Sequence, residues 1–263
     1  MGGIAADSGG RLPAIFVGHG SPLNCVADNA FTRDMRRLGE ALPRPAAVLV
    51  VSAHWQTSGS FVTAGAHPET IYDFYGFPPE LYEVRYPAPG SPQVAALVNE
   101  ATGGVVRPAE RGIDHAAWMV LRNVFPTADV PVLEMSLDLT LDEREHYELG
   151  RRLAALREQN VLLMGSGNIV HNLYEVDWAQ DAPPDERTVD YDAWVRDAVA
   201  ARHHDELIDY RAANPLSRWA APTAEHYLPL LYTLALQGDD ERLETVHESF
   251  QHSTVSMRSF MTA

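Results

Sequence analysis

The sequence predicts a single α/β domain with a central mixed, largely parallel sheet flanked by helices. Three observations support this fold class. Short apolar runs that suit buried strands alternate along the chain with segments of helical spacing. The chain has 263 residues, of which 46% are hydrophobic, so it can bury one substantial core. It contains no internal repeat and no stretch with the composition of a domain linker.

The predicted strands are short apolar segments bounded by glycine, proline or polar residues. In chain order they lie at residues 14–17, 46–52, 61–64, 131–136 and 160–165, with two closing strands at 243–250 and 254–260. The run at 46–52 is continuously apolar, which is typical of a strand buried in the middle of a sheet. The run at 14–17 ends in a sequence of small residues, GHGSP, that permits a tight loop.

The predicted helices are segments in which apolar residues recur every three or four positions. They lie at residues 29–41, 92–102, 114–123, 141–159, 186–209 and 224–236, of which 141–159 is the longest purely helical segment. Pro43 and Pro45 end the first helix. Asp114 and Thr223 stand where N-cap residues are expected.

The composition excludes several functional classes. Acidic residues outnumber Lys and Arg by 36 to 20, and no basic run compensates, so neither nucleic acid nor a membrane surface is an expected partner. The single cysteine, Cys25, cannot form an intramolecular disulfide, and no apolar stretch approaches the roughly 20 residues of a membrane span. We therefore expect a cytoplasmic protein with a flexible tail at residues 1–11 and one folded domain at 12–263.

Histidines follow the apolar strand-like runs, and this pattern indicates a metal site. His19 follows the first strand, His54 ends the run VLVVSAHW, and His171 follows the glycine-rich turn after residues 160–165. Imidazoles at the ends of buried strands can converge in space and bind a divalent ion while leaving coordination positions open. Taken singly, each is more often a structural histidine.

Two further histidines lie near predicted helix N-termini. We favour His226 as the third ligand, with its neighbour Glu225 as a capping group or a partner of that ligand. His171 is either a fourth ligand or a free base near the metal. His115, just after Asp114, lies where the helix dipole favours the neutral imidazole, although a plain surface histidine has the same signature.

A long irregular stretch at residues 67–92 is rich in aromatic residues and prolines. Such loops often line a site, and Tyr72 and Phe74 suit recognition of a flat ring. The same composition also suits a loop that covers the core and is made rigid by its prolines. Arg85, in the same loop, is a candidate partner for a substrate carboxylate.

Seven short motifs in order resemble one known family over residues 12–260. They are GHGSP, SAHW, DFYGFPPELYEVRYPAPG, GIDHAAW, GSGNIVHNL, EHYLPLLY and SMRSF. Together they resemble the class III extradiol ring-cleavage dioxygenases, in particular the DOPA 4,5-dioxygenase-like branch. The resemblance implies a non-haem metal enzyme that uses O₂ to open a catechol ring, such as that of DOPA, caffeate or a related catecholic acid, to a muconic semialdehyde.

The resemblance also implies residue roles. His19, His54 and His226 correspond to the metal ligands, His171 to the acid–base histidine that some relatives draw into the metal shell, and His115 to a histidine that contacts substrate or the oxygen intermediate. Fe(II) is expected for activity. Better-known members have a glutamate where this chain has His226, and an all-histidine shell also suits Zn(II), which has no redox chemistry.

Two other functions are compatible with the same residues. Relatives of the MEMO type are better known for binding or signalling than for ring cleavage, and a zinc hydrolase would act on an ester or amide without consuming oxygen. The expected partners are a small catechol and O₂, and a homo-oligomer is compatible with the sequence.

Overall fold

An eight-stranded mixed sheet forms the centre of the computed structural model, which describes residues 10–179 and 182–263. This confirms the predicted fold class. The strands β1 to β10 are Ala14–Gly18, Ala47–Thr57, Ser60–Thr63, Val106–Ala109, Val132–Asp138, Val161–Gly167, Leu243–His247, Phe250–Gln251, Val255–Ser256 and Ser259–Thr262. Most of the predicted tail, residues 1–9, lies outside the described residues.

Helices cover both faces of the sheet. In the described ranges, α1 to α9 are Ala30–Ala41, Pro92–Ala101, His115–Val124, Glu143–Arg152, Glu186–Ala200, His204–Ile208, Tyr210–Ala213, Ser217–Ala220 and Leu228–Ala235. Short 3₁₀ helices lie at Pro22–Cys25, Pro79–Glu83 and Ala154–Gln159. No helix in the described part of the chain has the length and apolar character needed to cross a bilayer.

Parallel pairing in the middle of the sheet brings strand ends to one edge. The order across the sheet is β4-β3-β5-β2-β6-β1-β10-β7. The β1–β6, β6–β2 and β2–β5 pairs are parallel, whereas β3–β5, β1–β10 and β10–β7 are antiparallel. Ser166 of β6 is opposite Val17 of β1 and Ser52 of β2. The segments that follow these three residues therefore start next to one another.

Alternation along the central strands divides the core into two layers. Ile15 and Val17 of β1 face one layer, which includes Phe31 of α1 and Trp118 of α3, while Phe16 faces the other, which includes residues of α4 and α9. The sheet is thus buried on both faces, and its polar ligand-type side chains concentrate at the strand ends.

Two predicted helices are wrong in their bounds. The segment 141–159 is not one long helix, because α4 ends at Arg152 and a 3₁₀ helix carries the chain into β6. That tighter segment keeps Leu156 in the core and lets the buried Arg157 side chain donate to the carbonyl oxygens of Leu12 and Leu236. Among the helices of the described residues, α5 is the longest, with 15 residues.

The helix predicted at 224–236 begins only at Leu228, and Thr223 does not cap it. Pro229 explains the late start, because a proline is accommodated in the first helical turn but costs about 3 kcal/mol in a helix interior. The Thr223 hydroxyl instead donates to Glu225. His226 therefore lies in the turn before α9, not in its first turn.

The two predicted closing strands divide into four shorter ones, β7 to β10. His252 and Ser253 adopt positive φ angles of 52° and 66°, which turn the chain between β8 and β9. The short edge strand β4, which contains Pro108, was not predicted, because a four-residue strand with one buried side chain has no clear periodicity.

Candidate metal centre

Five histidines converge at the carboxyl edge of β1, β2 and β6. His19 directly follows β1, and its backbone N–H donates to the Gly167 carbonyl oxygen at 3.0 Å. His54 lies in an irregular part of β2, where the register with β5 shifts between Val51 and Gln56. A bulge of this kind re-aims side chains, and bulges are common beside active sites.

The rings of the three predicted ligands lie close to one another. The ring centroids of His19 and His54 are 5.2 Å apart, those of His19 and His226 are 5.4 Å apart, and those of His54 and His226 are 5.0 Å apart. His226 is held there by its backbone, since its carbonyl oxygen accepts the N–H of Asn168 at 2.8 Å.

More than one group of three side chains could hold an ion here. Ligand atoms of His19, His54 and His115 lie within 4.8 Å of one another, and so do those of His171, Glu225 and His226. Neither of these two groups is the predicted set of His19, His54 and His226.

Each of the three predicted ligands uses its Nδ1 atom in a hydrogen bond to an oxygen. The partner of His54 is Asp73 at 2.8 Å, and that of His226 is Glu225 at 3.0 Å. Carboxylates only accept, so both Nδ1 atoms carry the hydrogen. His19 Nδ1 lies 3.1 Å from the Ser166 hydroxyl, whose own hydrogen goes to a carbonyl oxygen at 2.6 Å, so His19 donates as well.

This arrangement leaves Nε2 lone pairs directed into the site. Within residues 10–179 and 182–263, the buried Nε2 atoms of His54 and His226 have no hydrogen-bond partner. Buried polar atoms are rarely left unsatisfied, and a metal-bound histidine typically donates its other ring N–H to an oxygen. The residues therefore fit a divalent metal ion.

Burial controls the protonation of these rings. It lowers the pKa of His19 and of His226 well below the usual value, and the neighbouring His54 lowers both further. Burial acts on His54 in the same direction, but the hydrogen bond to Asp73 and the charge of Asp114 outweigh it, so the pKa of His54 is raised. Neutral rings at the other two positions are ready to bind a cation.

His171 lies flat against His226. Their ring centroids are 3.5 Å apart and the planes differ by 14°. Its backbone is fixed by a bridge to Val255 and by a hydrogen bond to the carbonyl oxygen of Ala220. Burial, and then His226, lower the pKa of His171 well below its usual value, so the ring is neutral. The two predicted roles of His171, as a fourth metal ligand or as a base, both stay predictions.

His115 is the first residue of α3, and Asp114 caps that helix as predicted. Its ring is 4.2 Å from that of His54, and its Nδ1 lies 2.8 Å from Asp73. Burial and the nearby His54 lower the pKa of His115 despite the hydrogen bond to Asp73, which agrees with the neutral form expected from the sequence.

The predicted substrate-binding residues differ in their contacts and in their exposure. Phe74 meets the edge of His115 with ring centroids 5.4 Å apart. The Tyr72 hydroxyl donates to the Val84 carbonyl oxygen at 2.6 Å, so it is already hydrogen-bonded within the loop. Arg85 is exposed and lies over Tyr72, with its guanidinium carbon 5.2 Å from the ring centroid.

Glu225 was expected as a partner of His226, but the sequence did not predict two other residues that orient the histidines. Asp73 and Ser166 carry no periodic signal, although Asp73 stands between two residues that were singled out. A buried group behind the site was also missed, in which Ser52 donates to Asp114 at 2.9 Å, and Arg111 pairs with Asp114 and Glu134. Burial, and then Asp114, raise the pKa of Glu134.

Comparison with known proteins identifies relatives over nearly the whole chain. Residues 19–261 match the profile of a family described as the catalytic LigB subunit of aromatic ring-opening dioxygenase. A protein of Escherichia coli (strain K12) named 4,5-DOPA dioxygenase extradiol is 41% identical over 95% of this chain and 94% of its own length. A protein of the same name from Portulaca grandiflora is 34% identical over 94% of each chain.

A solved structure also has this fold. The crystal structure of an uncharacterized protein from Escherichia coli K12 superposes with a TM-score of 0.83 at 37% sequence identity, covering 95% of this chain and 99% of that one.

Proposed function

This chain belongs to the family of the catalytic LigB subunit of aromatic ring-opening dioxygenases and is a metal-dependent extradiol dioxygenase, and we propose that its substrate is a catechol with a carboxylate side chain. DOPA, caffeate and related catecholic acids have this structure, and their ring opening would give a muconic semialdehyde. Two relatives are named for DOPA, which supports the choice.

One observation carries the proposal. His19, His54 and His226 each have an oxygen beside Nδ1, and the buried Nε2 atoms of His54 and His226 have no hydrogen-bond partner in the described residues, which supports the proposal that the three Nε2 atoms share one ion. With three ligands from the protein, positions remain for both catechol oxygens and for O₂. When bound, Fe(II) supplies the redox chemistry that brings these two reactants together, whereas Zn(II) fits the same ligands without that chemistry.

The remaining histidines handle protons. His171 is neutral, so its ring can accept a catechol hydroxyl proton and later donate it to an oxygen atom of the reacting O₂. His115 is neutral as well, and its Nδ1–H is committed to Asp73, which leaves Nε2 to accept a hydrogen bond from the bound substrate. Phe74, at the edge of His115, excludes water from that side.

Arg85 is proposed to recognise the side-chain carboxylate. Its guanidinium is held over Tyr72 and forms no ion pair with any carboxylate in the described residues. Since the whole chain carries a net charge of −16, a local cation is needed to attract an anionic substrate.

The test is reconstitution of the purified protein with Fe(II) under anaerobic conditions, followed by addition of catechol and air. We expect one O₂ consumed for each ring opened and a yellow product, no turnover with Zn(II), and no turnover of the Fe(II)-loaded His226→Ala variant. His203→Ala, at an exposed position on the surface, is the matched histidine control. No oxygen uptake with any catechol in a broad panel would contradict the proposal.

Substrate class is tested separately. Arg85→Gln should raise KM about tenfold for DOPA and caffeate, because it removes one charge-assisted contact, and leave KM for 4-methylcatechol unchanged. An equal effect on both kinds of catechol would refute the role of Arg85.

A further inference from the structure

The Asp73 carboxylate lies beside two histidines of the centre, His54 and His115. Its Oδ2 lies 2.8 Å from His54 Nδ1, and its Oδ1 lies 2.8 Å from His115 Nδ1. Oδ1 also accepts the backbone N–H of His115 at 3.1 Å. Both carboxylate oxygens are therefore occupied by imidazole N–H groups from different elements.

We propose that Asp73 is a positioning residue that fixes the Nδ1–H tautomer of His54 and His115 together, so that the loop carrying the aromatic residues also determines whether the site can bind its metal. The inference rests on the metal site of the proposed function, but it concerns ring tautomers and metal affinity, which can be measured without turnover.

The chemistry of the carboxylate carries the argument. A neutral imidazole has one N–H, and the nitrogen without hydrogen must face the metal or the substrate. A carboxylate can accept from two rings at once, and this requires both rings to place hydrogen on Nδ1. The Nε2 lone pairs of His54 and His115 are then directed away from Asp73 and into the site.

An amide at position 73 cannot do the same. Asparagine has one oxygen and one NH₂ group, so one of the two histidines would meet a donor at Nδ1. The two donors from His115 favour placing the amide oxygen on that side. His54 would then move its hydrogen to Nε2, where it blocks the metal.

Glu225 provides a matched control. The side chains of Asp73 and Glu225 are 19% and 16% exposed, and each neutralising substitution removes one negative charge beside one ligand. The same atom, Glu225 Oε1, accepts from both His226 Nδ1 and the Thr223 hydroxyl. Glutamine retains that oxygen, so Glu225→Gln removes charge without removing an acceptor.

The experiment measures Zn(II) affinity by competition with a chromophoric chelator for wild type, Asp73→Asn and Glu225→Gln. Loss of an orienting partner typically weakens metal binding 10–100-fold, and we expect that loss for Asp73→Asn, against less than about threefold for Glu225→Gln. Equal losses in the two variants would show that charge alone matters and would overturn the proposal. Affinity within threefold of wild type for Asp73→Asn would overturn it too.

A second measurement needs no substitution at Asp73. Ring ¹⁵N–¹H correlation spectra of the zinc-loaded wild-type protein, assigned through His54→Ala and His115→Ala, report the tautomer of each histidine. We expect hydrogen on Nδ1 of both, and hydrogen on Nε2 of either ring overturns the proposal even if Asp73→Asn does not fold. Wild-type zinc affinity and the expected tautomers, together with no ring opening by the Fe(II)-loaded protein, would contradict the proposed function alone.

Discussion

Replacing Gly167 with alanine tests whether the backbone of His226 must lie against the end of β6. A Cβ atom on Gly167 would lie 2.2 Å from the carbonyl oxygen of His226. Real Cβ atoms essentially never approach another atom closer than 3.0 Å, so the two segments must separate by at least about 0.8 Å. The same carbonyl oxygen accepts the N–H of Asn168 at 2.8 Å, which resists this movement.

The expected cost has two parts. Overpacking a well-packed contact lowers the free energy of unfolding by roughly 1–3 kcal/mol. A misplacement near 1 Å of a group that holds the reactants can lower the rate about 10²-fold. We therefore expect Gly167→Ala to fold with reduced stability and to lose about 10²-fold in kcat/KM for the catechol, because the His226 ring moves with its backbone.

Gly165→Ala is the control for packing. Its Cβ atom would lie 2.3 Å from the carbonyl oxygen of Pro229, so it crowds the same strand and helix without touching His226. Urea unfolding, zinc content and oxygen uptake are measured for both variants. Similar losses of stability with at least a tenfold larger loss of activity in Gly167→Ala are expected. If the two variants lose activity equally, the position of the His226 backbone is not what limits catalysis.

Three other predictions concern single residues. His171→Ala should keep its zinc affinity, because the ring lies flat against a ligand histidine, while kcat falls roughly 10²–10⁴-fold; loss of zinc would instead identify a ligand. Burial lowers the pKa of His146 to about 4, so its contribution to stability is complete above pH 6.5 and is lost as the pH falls toward 4. In urea unfolding between pH 4.5 and 6.5, His146→Gln should therefore flatten the decline of the unfolding free energy by about 1.4 kcal/mol per pH unit, and an unchanged slope would contradict this. Asp192→Ala, which removes the closest partner of the buried Arg258, should cost about 3–5 kcal/mol in the same assay, against less than about 1 kcal/mol for the exposed Asp205→Ala; equal costs would refute the distinction.

The histidines could be predicted because their positions depend on topology. Parallel strands place their carboxyl ends at one edge, so His19 and His54 were expected to meet once both were assigned to strand ends. The N-cap of α3 was equally readable, since Asp114 precedes a segment of clear helical spacing.

What could not be predicted depends on loops and on hydrogen bonds between distant residues. Asp73 is separated from His115 by 42 positions, and only the folded loop brings them together. The late start of α9 required weighing Pro229 against the apolar spacing of its neighbours, and the spacing alone favoured a longer helix. The irregular register of β2 that directs His54 into the site has no sequence signal of its own.

Two of the acidic residues of this chain, Asp73 and Glu225, lie beside predicted metal ligands, where their charge acts locally. Three neutral imidazoles contribute no charge to a divalent ion, so such an ion would keep both of its positive charges at this site. Asp73 and Glu225 each accept the Nδ1–H of a ligand histidine and bring two negative charges close to the ion without occupying a coordination position. A carboxylate bound directly in place of one histidine would lower the charge of the metal and its ligands from +2 to +1, and would weaken their attraction for a catechol that loses its protons. Because these carboxylates contact the ligand histidines and do not bind the metal themselves, the site can keep a cationic centre for an anionic substrate within a strongly acidic protein.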